Sequence, residues 1–512
     1  VQTEPLSSPG RLQRWLGWIE RWGNALPHPA TLFALLAVVV VLASWVFHRL
    51  GVSAVHPGNG EVIVPVNLLS VAGFQRMVLE AVRNFLAFPP LGISLTALLG
   101  IGLAEHSGLM SAVLRLIVWW TPARWITPVV VFAGVISNAG SEVGYVVLTP
   151  LAAALYHALG RHPLVGLAAA FAGVSGGYSA NVLIGSVDVL LAGLTQAAAQ
   201  LVDPSYRVTA LANWYFMAAS SVLVTLVGTW VTEKIVAPRL GEYRGAAPRE
   251  ELKPLTTRER RGLWAAGGSV ALLGALVLAG VLPAEGYLVN PQKPGFVHSV
   301  FMEGLVTFIF LFGLVPGLAY GAVAGTLKND HDVVAGMIRT MQSMASFVVL
   351  AFFAAQFIAY FNWTHLGLIT AVKGAELIQS LRLQEQPVLL MVALVVFAAG
   401  VNLLISSASA KWALLAPIFV PMFLLLGYSP ELTQGAFRVG DSVTNIITPL
   451  MGYFPLILTF VQRYEARAGL GTLIATMLPY SVALLVAWVA LLVGWLALGL
   501  PVGPGAPLYL AR

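Results

Sequence analysis

Cysteine is absent from all 512 residues, which removes disulfides, thiol nucleophiles and thiolate-bound metals from the functions open to this chain. Charge is nearly as scarce. Only 10% of residues are Asp, Glu, Lys or Arg, where soluble domains carry about 25%. No GxxxxGK(S/T) phosphate loop occurs, so an ATP-driven pump would need a partner. The nine histidines lie toward the ends of apolar runs or in loops, and none forms an HExxH pair. An intramembrane metalloprotease, or a serine hydrolase relying on a mid-membrane histidine, is therefore not expected, and the chain does not read as an enzyme. What remains is 58% hydrophobic with a mean hydropathy of +0.83, the composition of an all-α polytopic membrane protein. The net charge of +6 sits at the ends of apolar spans, which points to membrane orientation rather than nucleic acid.

A helix needs about 20 apolar residues to cross the hydrocarbon core. By that measure the spans fall near 29–50, 85–105, 163–201, 212–236, 262–284, 299–324, 341–361, 430–461 and 470–500, about nine crossings. Two apolar blocks, 125–158 and 386–427, are too long for one helix and break midway, so they read as re-entrant helical hairpins. Residues 107–121 are short and carry Arg115, which favours a helix at the interface. At the N-terminus no cleavable leader is expected, and residues 11–26 read as an amphipathic interfacial helix anchored by Trp15, Trp18 and Trp22. Seven Lys and Arg lie between Arg239 and Arg261, which sets that loop and the N-terminus in the cytoplasm. Arg49, Arg76 and Arg83 run against this bias.

Residues 125–201 and 386–461 read as two divergent copies of one unit, a hairpin followed by a broken helix. The first copy is interrupted at Ser137-Asn138-Ala139-Gly140-Ser141 and Gly176-Gly177-Tyr178-Ser179-Ala180-Asn181, the second at Ser406-Ser407-Ala408-Ser409-Ala410 and Gly440-Asp441-Ser442-Val443-Thr444-Asn445. Non-helical backbone at bilayer depth is tolerated only where protein buries it or where it lines a cavity. Paired broken segments in two halves point to the substrate site of a secondary transporter. An odd number of crossings separates the copies, so they are expected to be inverted in the membrane. Around them the chain divides into an interfacial segment (1–28), N-terminal spans (29–124), scaffold or dimerisation spans (202–385) and a C-terminal span (462–512).

Ionisable residues inside the membrane are functional candidates by default. Glu142, Asp188, Lys411, Arg438 and Asp441 qualify. Glu142 and Lys411 hold matching places beside the hairpin breaks, where they would pair with ions or substrate, or snorkel. Asp188 lies seven residues beyond Asn181, where it would alternate between protonated and ionised forms, cap the helix that restarts near Val189, or do both. Arg438 and Asp441 are three apart on one helix face. They are expected to form either a structural pair or a contact to substrate, the planar guanidinium suiting a carboxylate or sulfonyl group. Asn138, Asn181, Asn402 and Asn445 bring amide oxygens to the interruptions. Together they suggest a sodium cage, and singly they suffice to tie off exposed backbone. Trp412 beside the second hairpin tip offers a face to an aromatic substrate, or simply packs.

These stretches carry a resemblance. Residues 407–458 (SASAKWALLAPIFVPMFLLLGYSPELTQGAFRVGDSVTNIITPLMGYFPLIL), supported by 176–196 (GGYSANVLIGSVDVLLAGLTQ), are similar to the AbgT family, the p-aminobenzoyl-glutamate transporter and antimetabolite exporter group, and the likeness extends over nearly the whole chain. The resemblance implies a homodimer, each protomer with about nine spans and two hairpins. It also implies functional roles for Asp188, Ser409, Trp412, Pro430, Arg438, Asp441 and Pro449. The expected function is proton-driven export of p-aminobenzoate-like antimetabolites and sulfonamide drugs from the inner membrane. The alternative is sodium-coupled import of p-aminobenzoyl-glutamate or related carboxylates. In the expected cycle the substrate ring lies against Trp412 and its acidic group near Arg438. No cofactor is expected beyond a sodium ion, and no partner beyond lipid, substrate and a second copy.

Overall fold

A computed structural model describes residues 27–55, 60, 62–119, 121–140, 144–245, 255–283, 285–292 and 299–510. The interfacial segment 11–26 and Glu142 lie outside the described residues. The principal helices are α1 (Pro29–Arg49), α2 (Val71–Leu86), α3 (Pro89–His106), α4 (Leu109–Trp119), α5 (Ile126–Ser137), α6 (Thr149–Ala158), α7 (Pro163–Phe171), α8 (Ser186–Ala199), α9 (Trp214–Val231), α10 (Thr257–Val281), α11 (Leu305–Ala324), α12 (Asp330–Ser343), α13 (Ala345–Trp363), α14 (Leu366–Ser380), α15 (Pro387–Asn402), α16 (Ala408–Leu425), α17 (Pro430–Val443), α18 (Phe454–Tyr464) and α19 (Leu470–Leu498). Among the described residues, eight helical stretches are long and apolar enough to cross a membrane. That length criterion does not reproduce the expected nine, because each broken span divides into halves too short to qualify. One arm of the second hairpin, α16, meets the criterion by itself.

Both breaks fall where small polar residues interrupt the apolar runs. In the first copy α7 passes into a single π-helical turn over Ala172–Gly176, leaves helical geometry, and restarts at α8. In the second copy α17 ends at Val443 and the chain restarts at α18. Local chemistry sets these ends. Ser429 caps α17 through Leu432 N at 3.1 Å, with Pro430 in the first turn. Ser407 caps α16 through Ala410 N at 3.3 Å.

The hairpins are real reversals. In the second copy α15 and α17 run in the same sense. Tyr428 just before α17 donates to Gln384 O at 2.8 Å just before α15, and Asn402 at the far end of α15 meets Asp441 and Asn445. The arm α16 runs the other way, with Trp412 near its start stacked on Phe437 and Phe423 near its end packed against Tyr428. The first copy repeats the plan. Asn138 Nδ2 donates to Gly177 O at 3.2 Å, and Asn402 Nδ2 donates to Asp441 O at 2.6 Å, each pair 39 residues apart. One side-chain bond thus recurs at matching places, as a repeat predicts.

The two copies are inverted relative to each other. Along the first broken segment Ser175, Ser179, Asp188 and Thr195 bond in turn to Met451, Ser442, Arg438 and Gln434. One number rises while its partner falls, so the segments lie antiparallel. The half-helix α8 also packs on α16, and Leu191, Leu194, Trp412, Leu415 and Ala416 share one buried cluster. Arg115 of α4 pairs with Glu259 at the start of α10.

Candidate functional site

The helix α17 carries a polar stripe. Glu431, Gln434, Arg438 and Asp441 follow an i, i+3, i+7, i+10 spacing, which sets them on one face. All four are buried. Each meets a partner that removes the cost of leaving a polar group dry. Glu431 Oε2 accepts from Tyr206 OH at 2.9 Å. Gln434 Nε2 donates to Asn213 Oδ1 at 2.7 Å, and its Oε1 lies 2.5 Å from Thr195 Oγ1. Arg438 Nη2 is 2.8 Å from Asp188 Oδ1 and donates to Ser179 O at 2.8 Å. Asp441 pairs with Lys411.

This exchange of partners corrects one expectation. Arg438 and Asp441 do not pair with each other, although they share a helix face. Arg438 reaches across to the first repeat, and Asp441 takes the lysine of its own hairpin. The physical reason is supply: each repeat presents a buried opposite charge nearer than the neighbour along the helix. Of the roles weighed for Asp188, the structure bears on the cap: α8 starts at Ser186, three residues before the expected Val189, and Asp188 stands in its first turn rather than at the N-cap. Its Oδ2 accepts from the N-cap Gly185 N at 2.8 Å and from Asn181 Nδ2 at 2.5 Å. Its Oδ1 faces Arg438. Ion pair and cap therefore link the two repeats through one carboxylate.

A cavity of about 840 Å3 opens where the repeats meet. The first copy supplies Asn138, Tyr145, Tyr178 and Ser186, and the second supplies Ser406–Ser409, Asn445 and Met451–Tyr453. Scaffold helices close it with Glu105 and His106 of α3 and Arg339 of α12. Tyr145 and Tyr453, one from each copy, stack with ring centroids 4.7 Å apart. Arg339 is exposed on this wall.

The expected site residues divide. Ser409 lines the cavity, its hydroxyl 3.3 Å from Ser407 Oγ. Pro430 opens α17, and Pro449 stands in the second break, partly exposed. Trp412 and Arg438 are not part of the wall. Trp412 is wholly buried, stacks on Phe437 at 4.4 Å and donates its Nε1–H to Thr195 Oγ1 at 2.7 Å. The expected contacts of substrate ring with Trp412 and of substrate acid with Arg438 are therefore absent from this arrangement, because both side chains are consumed by packing between the repeats. Thr195, Gln434 and Glu431 were missed as site residues. The stripe's helical spacing was a signal that could have found the latter two.

Of the four asparagines expected to offer oxygens to sodium, Asn402 and Asn445 meet directly in the second break. Asn181 spends its amide N–H on Asp188, and Asn138 on Gly177 O. Asn402 Nδ2 reaches Asp441 O, Thr444 Oγ1 and Asn445 Oδ1 at 2.6, 2.8 and 2.9 Å, while its Oδ1 accepts from the Lys411 ammonium. The Asn138 and Asn402 amides tie off broken backbone, and Asn402 Oδ1 already holds the lysine's cation. A GVSGG stretch at 173–177 does fit the G-x-S-x-G spacing of serine hydrolases. Its Ser175 is wholly buried with its hydroxyl on Met451 Sδ at 3.2 Å, so it is not presented as a nucleophile.

Inverted broken helices meeting at a shared cavity define a membrane transporter. The AbgT putative transporter family model matches residues 14–510. The chain is 40% identical to the p-aminobenzoyl-glutamate transport protein of Escherichia coli (strain K12) over 489 residues, 96% of each chain. Its structure is similar to that of the Alcanivorax borkumensis YdaH transporter, described as having an unusual topology (TM-score 0.89, 44% identity, 93% of this chain and 100% of that one). It is similar also to MtrF of Neisseria gonorrhoeae, reported to illuminate a class of antimetabolite efflux pumps (TM-score 0.91, 47% identity, 96% and 100%). The chain belongs to the AbgT transporter family.

Proposed function

We propose that this transporter exports p-aminobenzoate-like antimetabolites and sulfonamide drugs across the inner membrane, driven by the proton gradient, as a homodimer with a cytoplasmic N-terminus. The observation that carries this reading is the Asp188–Arg438 pair, buried where the two inverted repeats cross. A carrier must separate its repeats to change access, and that movement breaks the pair. Separating a buried pair without compensation is costly. Proton uptake by Asp188 removes one of the two charges and lowers that cost, which couples the access change to protons. The cavity suits an aromatic acid: Tyr145, Tyr178 and Tyr453 line it, and Arg339 offers a guanidinium. A ligand shifts the equilibrium between states only by its differential affinity for them. An acidic group drawn inward to Arg438 would supply that difference by competing with Asp188.

The test is accumulation of labelled sulfamethazine in cells expressing the protein, with and without a protonophore and with sodium replaced. Expected is low accumulation that rises on uncoupling, and no export by Asp188→Ala at equal membrane abundance. Sodium-dependent accumulation raised by the protein would establish import instead.

A further inference from the structure

The second repeat holds an ammonium where an ion-coupled carrier would hold a free cation. Lys411, Asp441 and Asn402 are all wholly buried. Lys411 Nζ contacts Asn402 Oδ1 and Asp441 Oδ1 together. The Asn402 amide nitrogen is turned toward the break, with Asp441 O, Thr444 Oγ1 and Asn445 Oδ1 around it, which leaves its Oδ1 facing the ammonium. Among the described residues Asp441 Oδ2 has no hydrogen-bond partner. A carboxylate, an amide oxygen and backbone freed by a helix break are the oxygen donors that transporters use for sodium.

The internal repeat provides a control. The first copy makes the same Asn-to-backbone bond, yet it has Gly177 in place of Asp441 and no Lys or Arg anywhere between residues 125 and 160. Its Asn138 Oδ1 is buried and has no hydrogen-bond partner among the described residues. The first copy therefore lacks both the aspartate at this acceptor position and the hairpin lysine, and carries Glu142 beside its break instead. In the second copy the lysine and the aspartate occur as a contacting pair.

We propose that Lys411 is a tethered monovalent cation that fills the second repeat's oxygen site, so that Asp441 and Asn402 do not bind free sodium unless its ammonium is removed. Removal leaves a buried carboxylate without a counter-charge, a state that draws in a small hard cation. The inference does not depend on the direction of transport, and its failure would leave the role of Asp188 untouched.

Thermal unfolding of the purified full-length protein, followed as sodium chloride replaces choline chloride at constant ionic strength, decides it. A ligand that binds only the folded state raises the midpoint saturably. The wild type is expected to show no sodium-specific shift. Lys411→Met should start lower in choline and rise with sodium by several degrees, and Lys411→Met/Asp441→Asn should lose that rise. A saturable sodium shift in the wild type, or none in Lys411→Met, would overturn the proposal. Should Lys411→Met fail to fold in either salt, the double variant decides. Its recovery identifies the ammonium as a counter-charge, and its failure shows that Lys411 does something else and sinks the idea.

Discussion

At the residue scale, the site consists of charges that meet only across long sequence separations. Asp188 and Arg438 lie at opposite ends of a repeat pair, yet each leaves the other as its compensating charge. Removing one partner of such a pair costs about 3–5 kcal/mol, because the remaining charge is stranded. Arg438→Ala should therefore lower the thermal midpoint sharply, and Asp188→Ala/Arg438→Ala should restore much of the loss while leaving transport dead. Losses that simply add would show that the pair is not coupled. That Asp188 and Arg438 matter was legible, since ionisable residues in apolar runs are conspicuous. Which group each one meets was not, because helical spacing sees only neighbours three or four residues away.

At the element scale, breaks and hairpins depend on close helix approach. A Cβ on Gly440 would stand 2.2 Å from Val395 O, where α17 passes α15. Gly400, near the end of the same α15, has nothing within 4 Å of its Cβ position. Gly440→Ala should destabilise by about 1–3 kcal/mol through overpacking. Gly400→Ala should be neutral or stabilising by up to about 1 kcal/mol through helix propensity. Midpoints measured side by side in one detergent check the contrast, and equal effects would contradict the packing described. The sequence pattern located the breaks near Gly176 and Asp441, because small polar residues stand out against apolar runs, while the second hairpin tip lies a few residues earlier than expected, before α16 starts at Ala408. It passed over Glu431 and Gln434, whose stripe needed only the helical period to be seen.

At the scale of the whole molecule, function depends on whether the shared cavity opens to one side at a time. The absence of cysteine makes this directly measurable. Ser343→Cys on α12 and Ser409→Cys on the second hairpin line the same cavity from scaffold and repeat. Both should react with a membrane-impermeant maleimide from the same single side, with p-aminobenzoate slowing Ser409→Cys. Simultaneous labelling from both sides without a gradient would mark a continuous pore and rule out the carrier reading.

The sequence by itself determined the membrane class, the helical hairpins, the broken spans and the inverted repeat, because each is a local matter of hydrophobic length, small residues and parity. It also singled out the buried charges. Only the tertiary structure decided how those charges pair. It turned Trp412 inward onto Phe437, gave Asp188 to Arg438, and placed the Lys411 ammonium against Asn402 and Asp441. The reason is that desolvation drives buried polar groups to the partners nearest in space, and nearness in space across two interlocked repeats is not written along the chain.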